Sequence, residues 1–117
     1  DKIIAVRGNC EAEVDQMVLD FPCMADCNVI PMGTRDIFMS HGHIYGPEHL
    51  PALKAGDIFL SGHTHIPTAD QKDCIYLFNP GSVSLPKGGH PRTYAVLHET
   101  GFIIYTSDHQ EYMKSMF

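Results

Sequence analysis

Short apolar runs, each closed by a polar loop, recur in the first half of the chain. Such runs predict buried strands, because β-branched and aromatic residues suit a pleated surface that is covered on both faces. Three strands of this kind are predicted over residues 2–6, 36–40 and 57–61. A weaker pattern around Val29 and Ile30 indicates a fourth.

Other segments of the chain predict helices. Residues 11–20 carry apolar side chains at helical spacing and begin with acidic residues, which suit the positive end of the helix dipole. Pro22 ends that pattern. Residues 47–54 can form one or two helical turns, and the polar, then Met- and Tyr-rich tail from Asp108 predicts a frayed helix.

The second half of the chain is patterned as hairpins. A predicted strand over residues 74–78 follows a polar turn over residues 69–73, and strands over residues 93–98 and 102–106 flank a short polar turn. Strand–helix units followed by hairpins indicate an α/β fold, a mixed β-sandwich flanked by helices.

Composition narrows the possible functions. The chain has 117 residues, enough for one domain, with 44% hydrophobic and 19% charged residues, which excludes a disordered protein. No apolar run approaches the roughly 20 residues that a membrane-spanning helix needs. The formal charge of -6 argues against nucleic-acid binding through bulk electrostatics, since such binding neutralises phosphates with basic residues. Phosphate chemistry stays possible if metal ions supply the positive charge.

The cysteines indicate a reducing compartment. None of the four pairs as C-x-x-C, and the sequence contains no secretory signal peptide. We therefore expect reduced thiols in a cytoplasmic protein.

Side chains that can bind a metal follow three of the predicted strands. Asn9 comes after the first, His41 and His43 after the second, and His63 and His65 after the third. The carboxyl ends of strands in an open α/β sheet meet at one edge, where ligands bind. Imidazole and amide ligands suit Mn, Zn, Fe or Ni better than Ca or Mg. The sequence therefore predicts a metal site at this edge.

Four motifs resemble the calcineurin-like metallophosphoesterases, and most closely their small bacterial phosphodiesterases. They are Gly8-Asn9-Cys10, Ser40-His41-Gly42-His43, Ser61-Gly62-His63-Thr64-His65 and Asn79-Pro80-Gly81-Ser82. The resemblance extends from Ile3 to about Leu97, in order and spacing. It implies the calcineurin-like phosphoesterase fold and hydrolysis of phosphodiester bonds at a dinuclear metal centre that clamps phosphate and activates a water.

The same resemblance implies a role for each candidate residue. Asn9, His41 and His63 would bind one divalent ion, and His65 would bind the other, with Mn as the expected metal and Zn, Ni or Fe as alternatives. Many relatives have Gly-Asn-His where this chain has Gly-Asn-Cys, and that His is thought to protonate the leaving group. Cys10 stands in its place here, and His43 is the candidate replacement acid. The Asn-Pro-Gly-Ser turn is expected to pack beneath the metal loops.

Two motifs of the family, Asp-x-His and Gly-Asp, lie upstream of Gly-Asn, and the eight residues that precede Asn9 here contain neither of them. The resemblance therefore implies that residues 1–117 are the N-terminally truncated, C-terminal portion of one metallophosphoesterase domain. Such a portion would hold at most one ion well. It would also expose apolar surface on the strands at residues 2–6 and 36–40, which a homo-oligomer or a missing N-terminal segment would cover.

Two other interpretations remain open. A eukaryotic retromer subunit has this fold and serves as a protein-interaction scaffold, so the fold alone does not guarantee turnover of a small phosphodiester. A structural zinc site built from Cys10 or from Cys23 and Cys27 would predict that loss of zinc unfolds the domain.

Overall fold

Eight β-strands in two sheets form the structure, a computed structural model that describes residues 3–8, 17–18, 22, 24–46 and 50–117. The strands are β1 (Cys27–Met32), β2 (Arg35–Ser40), β3 (Ile58–Leu60), β4 (Thr68–Lys72), β5 (Ile75–Asn79), β6 (Thr93–His98), β7 (Gly101–Thr106) and β8 (Glu111–Met116). The five-stranded sheet has the order β1-β2-β3-β5-β4, and the three-stranded sheet has the order β6-β7-β8.

The larger sheet is mixed, and its parallel centre determines where a site can form. β2, β3 and β5 run parallel to one another, while β1 and β4 are antiparallel strands at the two edges. The carboxyl ends of the three parallel strands, at Ser40, Leu60 and Asn79, therefore lie along one edge of the sheet. This arrangement confirms the common edge that the sequence predicted for the loops after the second and third predicted strands.

The main core lies between the two sheets. Ile37, Ile58 and Phe78 of the larger sheet pack against Phe102 and Ile104 of the smaller one. The rings of Phe78 and Phe102 stack with centroids 4.2 Å apart and planes inclined by 6°. Contact between the inner faces of two sheets is the defining feature of a sandwich, so the predicted β-sandwich is confirmed.

The outer face of the larger sheet is also covered. Phe59 and Leu77 point away from the main core and pack against Tyr45, Leu50 and Leu53 from the segment between β2 and β3. β3 is thus buried on both faces, which explains why its sequence is an uninterrupted apolar run.

Several predicted elements are confirmed with shifted bounds. The strand around Val29 and the strands at residues 36–40 and 57–61 are β1, β2 and β3, and the hairpin of residues 93–106 is β6–β7. The polar turn predicted over residues 69–73 is wrong, because residues 68–72 form β4 and the turn is only Asp73-Cys74. Residues 70–72 are exposed on an edge strand. Their side chains are therefore polar, and this polarity resembles that of a loop.

Other predicted elements are wrong. Residues 3–8 are not a strand: among the described residues, Arg7 N donates to Ala25 O and Asn28 Nδ2 donates to Ala5 O, and these two bonds do not form a ladder. Residues 50–54 are not helical, since Pro51 lacks a backbone donor. The tail is strand β8 rather than a helix, because it pairs with β7.

The helix predicted over residues 11–20 lies mostly outside the described residues. Met17 and Val18 are helical, and both side chains are exposed. Across the described ranges, no helix is long and apolar enough to cross a membrane.

Exposed apolar surface is found where the first segment lies against β1. Ile3 and Ile4 are more than half exposed, as is Val29 of β1, and they line a shallow groove with Ala25 and Ile30. The sequence also predicted exposed apolar surface on the strand at residues 36–40. That prediction is wrong, because β2 pairs on both sides and Ile37 is buried.

Candidate metal centre

Two histidine loops approach each other at the carboxyl ends of β2 and β3. The backbone N–H of Gly62 donates to the carbonyl of His41 (2.8 Å), which joins the loops directly after their strands. The two imidazoles then face one another, with His41 Nε2 3.2 Å from His63 Nδ1. Two nitrogens that each lie about 2.1 Å from one ion are about 3.0–3.4 Å apart at ligand angles near 90–109°. The observed 3.2 Å, which is also a hydrogen-bond distance, lies within the range for two nitrogens bound to one ion.

This close approach depends on Gly42. Its φ of 117° lies in the region that favours glycine, and a Cβ there would come within 3.1 Å of His63 Cβ and 3.2 Å of Gly62 O. Any larger residue would push the two loops apart. The glycine between the histidines of the first motif is thus required by packing as well as by backbone conformation.

The second loop holds both of its histidines in a left-handed backbone conformation. His63 has φ of 68° and His65 has φ of 62°. Histidine tolerates this region better than most residues, yet each non-glycine residue there costs about 1–3 kcal/mol. Such strain persists only when surrounding contacts determine it.

Asn79 provides those contacts. Its Nδ2 donates to Gly62 O (3.0 Å) and to Thr64 Oγ1 (3.1 Å), and its Oδ1 accepts from Gly81 N (2.9 Å). The side chain is buried at the end of β5, the third parallel strand. The turn that begins at Asn79 therefore packs under the second histidine loop, as the sequence predicted. The individual contribution of Asn79 was not predicted, although an Asn-Pro-Gly turn directly after an apolar strand was a visible signal.

His65 is oriented by a carbonyl. Its Nδ1 lies 2.7 Å from Leu85 O, so this nitrogen carries the proton and donates it. Nε2 is then the nitrogen with a free lone pair. Metal-binding histidines commonly have this arrangement, in which the second ring N–H bonds to a carbonyl or carboxylate.

His43 lies beside the same pair. Its ring centroid is 5.2 Å from that of His41 and 6.3 Å from that of His63, and the side chain is exposed. Asn9 and Cys10 lie outside the described residues. Within the described ranges, no group of three or more His, Cys, Asp and Glu side chains is placed to hold a metal ion. The described part of the site is therefore the His41–His63 pair, with His43 beside it.

Two histidines elsewhere have tyrosine partners. His90 Nδ1 lies 2.8 Å from the hydroxyl of Tyr112, and His109 Nδ1 lies 2.7 Å from that of Tyr94. Both pairs involve the smaller sheet and not the histidine loops. Cys27 and Cys74 are free thiols.

A charged network lies at the opposite end of β3. Asp57 Oδ1 accepts from the backbone N–H of Asp36 (2.9 Å) and from Lys54 Nζ (2.9 Å), and Oδ2 accepts from the backbone N–H of Lys54 (3.0 Å). Burial alone would raise the pKa of Asp57, but these hydrogen bonds and the Lys54 charge hold that pKa below its ordinary value of 3.8. The network fixes the start of β3. It places the Asp57 carboxylate at the end of the strand opposite to the histidine loops.

Comparison with known proteins gives a consistent picture. Residues 1–101 match the calcineurin-like phosphoesterase superfamily domain. The phosphodiesterase YfcE of Escherichia coli strain K12 is 53% identical over 96 residues, which cover 82% of this chain and 52% of YfcE. The probable metallophosphoesterase YsnB of Bacillus subtilis strain 168 is 29% identical over 99 residues, which cover 79% of this chain and 54% of YsnB.

A solved structure supports the same relationship. The Escherichia coli phosphoesterase YfcE superposes on 98% of this chain with a TM-score of 0.95 at 45% identity, and the match covers 64% of that chain. The chain spans about half the length of the curated relatives that it matches.

Proposed function

This chain belongs to the calcineurin-like phosphoesterase superfamily, and from that premise we propose that residues 1–117 are the C-terminal, ligand-bearing portion of a single metal-dependent phosphodiesterase domain. The observation that carries the proposal is the 3.2 Å separation of His41 Nε2 and His63 Nδ1 at the carboxyl ends of parallel strands. A small phosphodiester is the proposed substrate.

Different candidate ligands are proposed for each of the two metal ions. Divalent metal ions, when bound, supply positive charge to the phosphate and activate a water for in-line attack on phosphorus. His41 and His63 would hold one ion together with Asn9, and His65 would bind the other through Nε2. Manganese is the proposed metal on the family relationship; the amide oxygen of Asn9 suits it, while the imidazoles also suit Zn, Ni or Fe. These residues alone bring no carboxylate to the first ion, so at most one ion is held well without the rest of the domain.

His43 and Cys10 are the proposed proton donors. Breaking the phosphodiester bond leaves an alkoxide unless the ester oxygen receives a proton. The support for His43 is its position, since its exposed ring stands beside both His41 and His63. Cys10 is proposed on its place in the Gly-Asn-Cys motif.

We also propose that the protein is cytoplasmic. The free thiols of Cys27 and Cys74 support a reducing environment.

The test is hydrolysis of a chromogenic phosphodiester by the complete domain, with Mn²⁺ and with a chelator. We expect chelator-sensitive turnover, and we expect His63→Ala to lower kcat/KM by at least about 100-fold, which corresponds to roughly 2.7 kcal/mol of lost transition-state stabilisation. The 117-residue chain alone is expected to show no turnover.

His98→Ala is the matched control. His98 is an exposed histidine at the end of β6, on the other sheet, and its removal should leave kcat/KM unchanged. Turnover that survives the chelator, or equal activity of the His63→Ala and His98→Ala proteins, would contradict the proposed function.

A further inference from the structure

We propose that Asn79 is a positioning residue that holds His63 and His65 in their metal-binding orientation. The inference rests on the proposed function and adds a residue that no ligand motif contains. Asn79 acts through the backbone of the second histidine loop and not by contact with an ion or a substrate.

The two N–H donors of Asn79 reach both sides of His63. One goes to the carbonyl of Gly62, immediately before His63, and the other goes to the hydroxyl of Thr64, between the two histidines. Both histidines have positive φ, and the two bonds hold the chain on either side of the first of them. Without the two bonds, the loop would relax to negative φ and turn the imidazoles away from the site.

Asn79 is itself held in place. Its Oδ1 accepts from Gly81 N, and the carbonyl of the intervening Pro80 accepts from Thr93 Oγ1 (2.7 Å) on β6. A Cβ at Gly81 would come within 2.0 Å of Thr93 Oγ1, so the turn lies tight against the second sheet. The turn is thus joined to β6 through Thr93, while Asn79 alone of these residues joins it to the histidine loop.

The hydrogen bonds and burial of Asn79 direct its side chain toward the turn and the histidine loop, and not toward an ion. Its amide group donates twice and its oxygen accepts from Gly81 N, within a residue that is only 5% exposed. It is therefore distinct from Asn9, whose amide is proposed to bind the ion.

The test compares three variants of the chain by NMR without metal. The readout is the set of nuclear Overhauser cross-peaks between the ring protons of His41 and His63, whose ring centroids are 5.0 Å apart. Asn79→Leu keeps the γ-branched shape but removes both donors together with the acceptor of the Gly81 N–H, and it should lose these cross-peaks. Thr64→Val removes, on an exposed residue, the acceptor of one Asn79 donor and of the longer bond from Ile66 N, and it should weaken them without unfolding the protein.

Thr93→Val is the matched control. It removes one buried hydrogen bond to the same turn but none to the histidine loop, so it should lower stability and retain the cross-peaks. Cross-peaks that persist in Asn79→Leu would overturn the inference. If Asn79→Leu does not fold, unchanged cross-peaks in Thr64→Val overturn it instead, and weakened ones support it.

Addition of Mn²⁺ separates this inference from the proposed function. Paramagnetic broadening of the His41 and His63 ring signals is expected in the unsubstituted protein. Its absence would contradict the proposed metal site while leaving the metal-free comparison of variants valid. Where broadening occurs, the Mn²⁺ concentration that produces it should rise in Asn79→Leu and stay constant in Thr93→Val.

Discussion

Asp57 shows how one buried carboxylate can be stabilised by the residues around it. Its two oxygens accept from two backbone N–H groups and one ammonium group, so every contact favours the charged form. Removing the charge leaves buried donors without an adequate acceptor, and such losses cost about 1–3 kcal/mol. The carboxylate also joins the start of β2, through Asp36, to the turn before β3.

Asp57→Asn should therefore lower the free energy of unfolding by about 1–3 kcal/mol at neutral pH, because an amide N–H would face the N–H groups that the carboxylate now accepts from. The folded pKa lies below the ordinary value of 3.8, so folding favours the ionised form. That contribution is complete above the unfolded pKa and disappears as pH falls through the folded pKa. Urea denaturation at a series of pH values checks both parts.

Comparing wild type with Asp57→Asn gives the direction in which the stabilisation by Asp57 changes with pH. The difference in unfolding free energy between wild type and Asp57→Asn should stay constant from about pH 7 to about pH 5 and shrink at lower pH. A difference that grows on acidification would show that Asp57 does not stabilise the folded state through its charge.

The candidate ligands are more visible in the sequence than the residue proposed to position them. His41, His43, His63 and His65 were visible because glycine-containing motifs follow apolar strands. Asn79 was not singled out, because its partners are 15 and 17 residues away and are defined only by the fold. Backbone φ at the histidines was equally invisible, since nothing in the local pattern requires a left-handed conformation.

At the scale of elements, the β4–β5 hairpin has a turn that its sequence suits poorly. Lys72 pairs with Ile75, so the loop consists of Asp73 and Cys74 alone, with φ of 52° and 67°. Positive φ at both central residues is the type I′ pattern, for which Asp-Gly is a preferred sequence. The chain has Asp-Cys at these positions.

Cys74→Gly should therefore stabilise the protein by about 0.5–1 kcal/mol, because glycine adopts positive φ without the steric cost of a Cβ. Chemical denaturation measures the change. Cys74→Ala is the matched control, since it removes the thiol and keeps the Cβ, and it should give no gain. Equal stability of the two variants would mean that the conformation of the turn does not limit stability.

Sequence patterns predicted hairpins well where both strands of the pair are apolar runs of β-prone residues. The β6–β7 hairpin is an example, with a turn of two residues and clear β-branched runs on either side. The prediction of a helix in the tail was wrong because Glu111–Met116 is polar on its exposed face, and only pairing with β7 makes it a strand. The strand predicted near the start of the chain was wrong for the opposite reason. Residues 3–8 are strongly β-prone, but a β-prone run forms a strand only when a partner completes the ladder.

At the scale of the whole molecule, the connection between the sheets links the core to the site. Phe78 stacks on Phe102 across the sandwich, and the next residue of β5 is Asn79. Packing between the sheets therefore fixes the end of β5, and through it the turn beneath the histidine loop. A core substitution at Phe102 would reach the histidines by this route.

The exposed apolar groove gives the last prediction. Ile3 and Ile4 are 54% and 55% exposed, and Val29 on the edge strand β1 is 57% exposed. Apolar side chains grouped beside an edge strand favour association with another surface. In solution the 117-residue chain should therefore either self-associate with increasing concentration or bind a fluorescent hydrophobic dye. Sedimentation and dye fluorescence measure the two effects.

Val29→Thr should reduce whichever effect is observed, because threonine keeps the β-branched shape that suits a strand while adding a polar group to the groove. Val96→Thr is the matched control, since Val96 is an exposed valine on β6 of the other sheet. It should leave association and dye binding unchanged. A monomer that binds no dye, or an equal response to the two substitutions, would show that this groove does not need a covering partner.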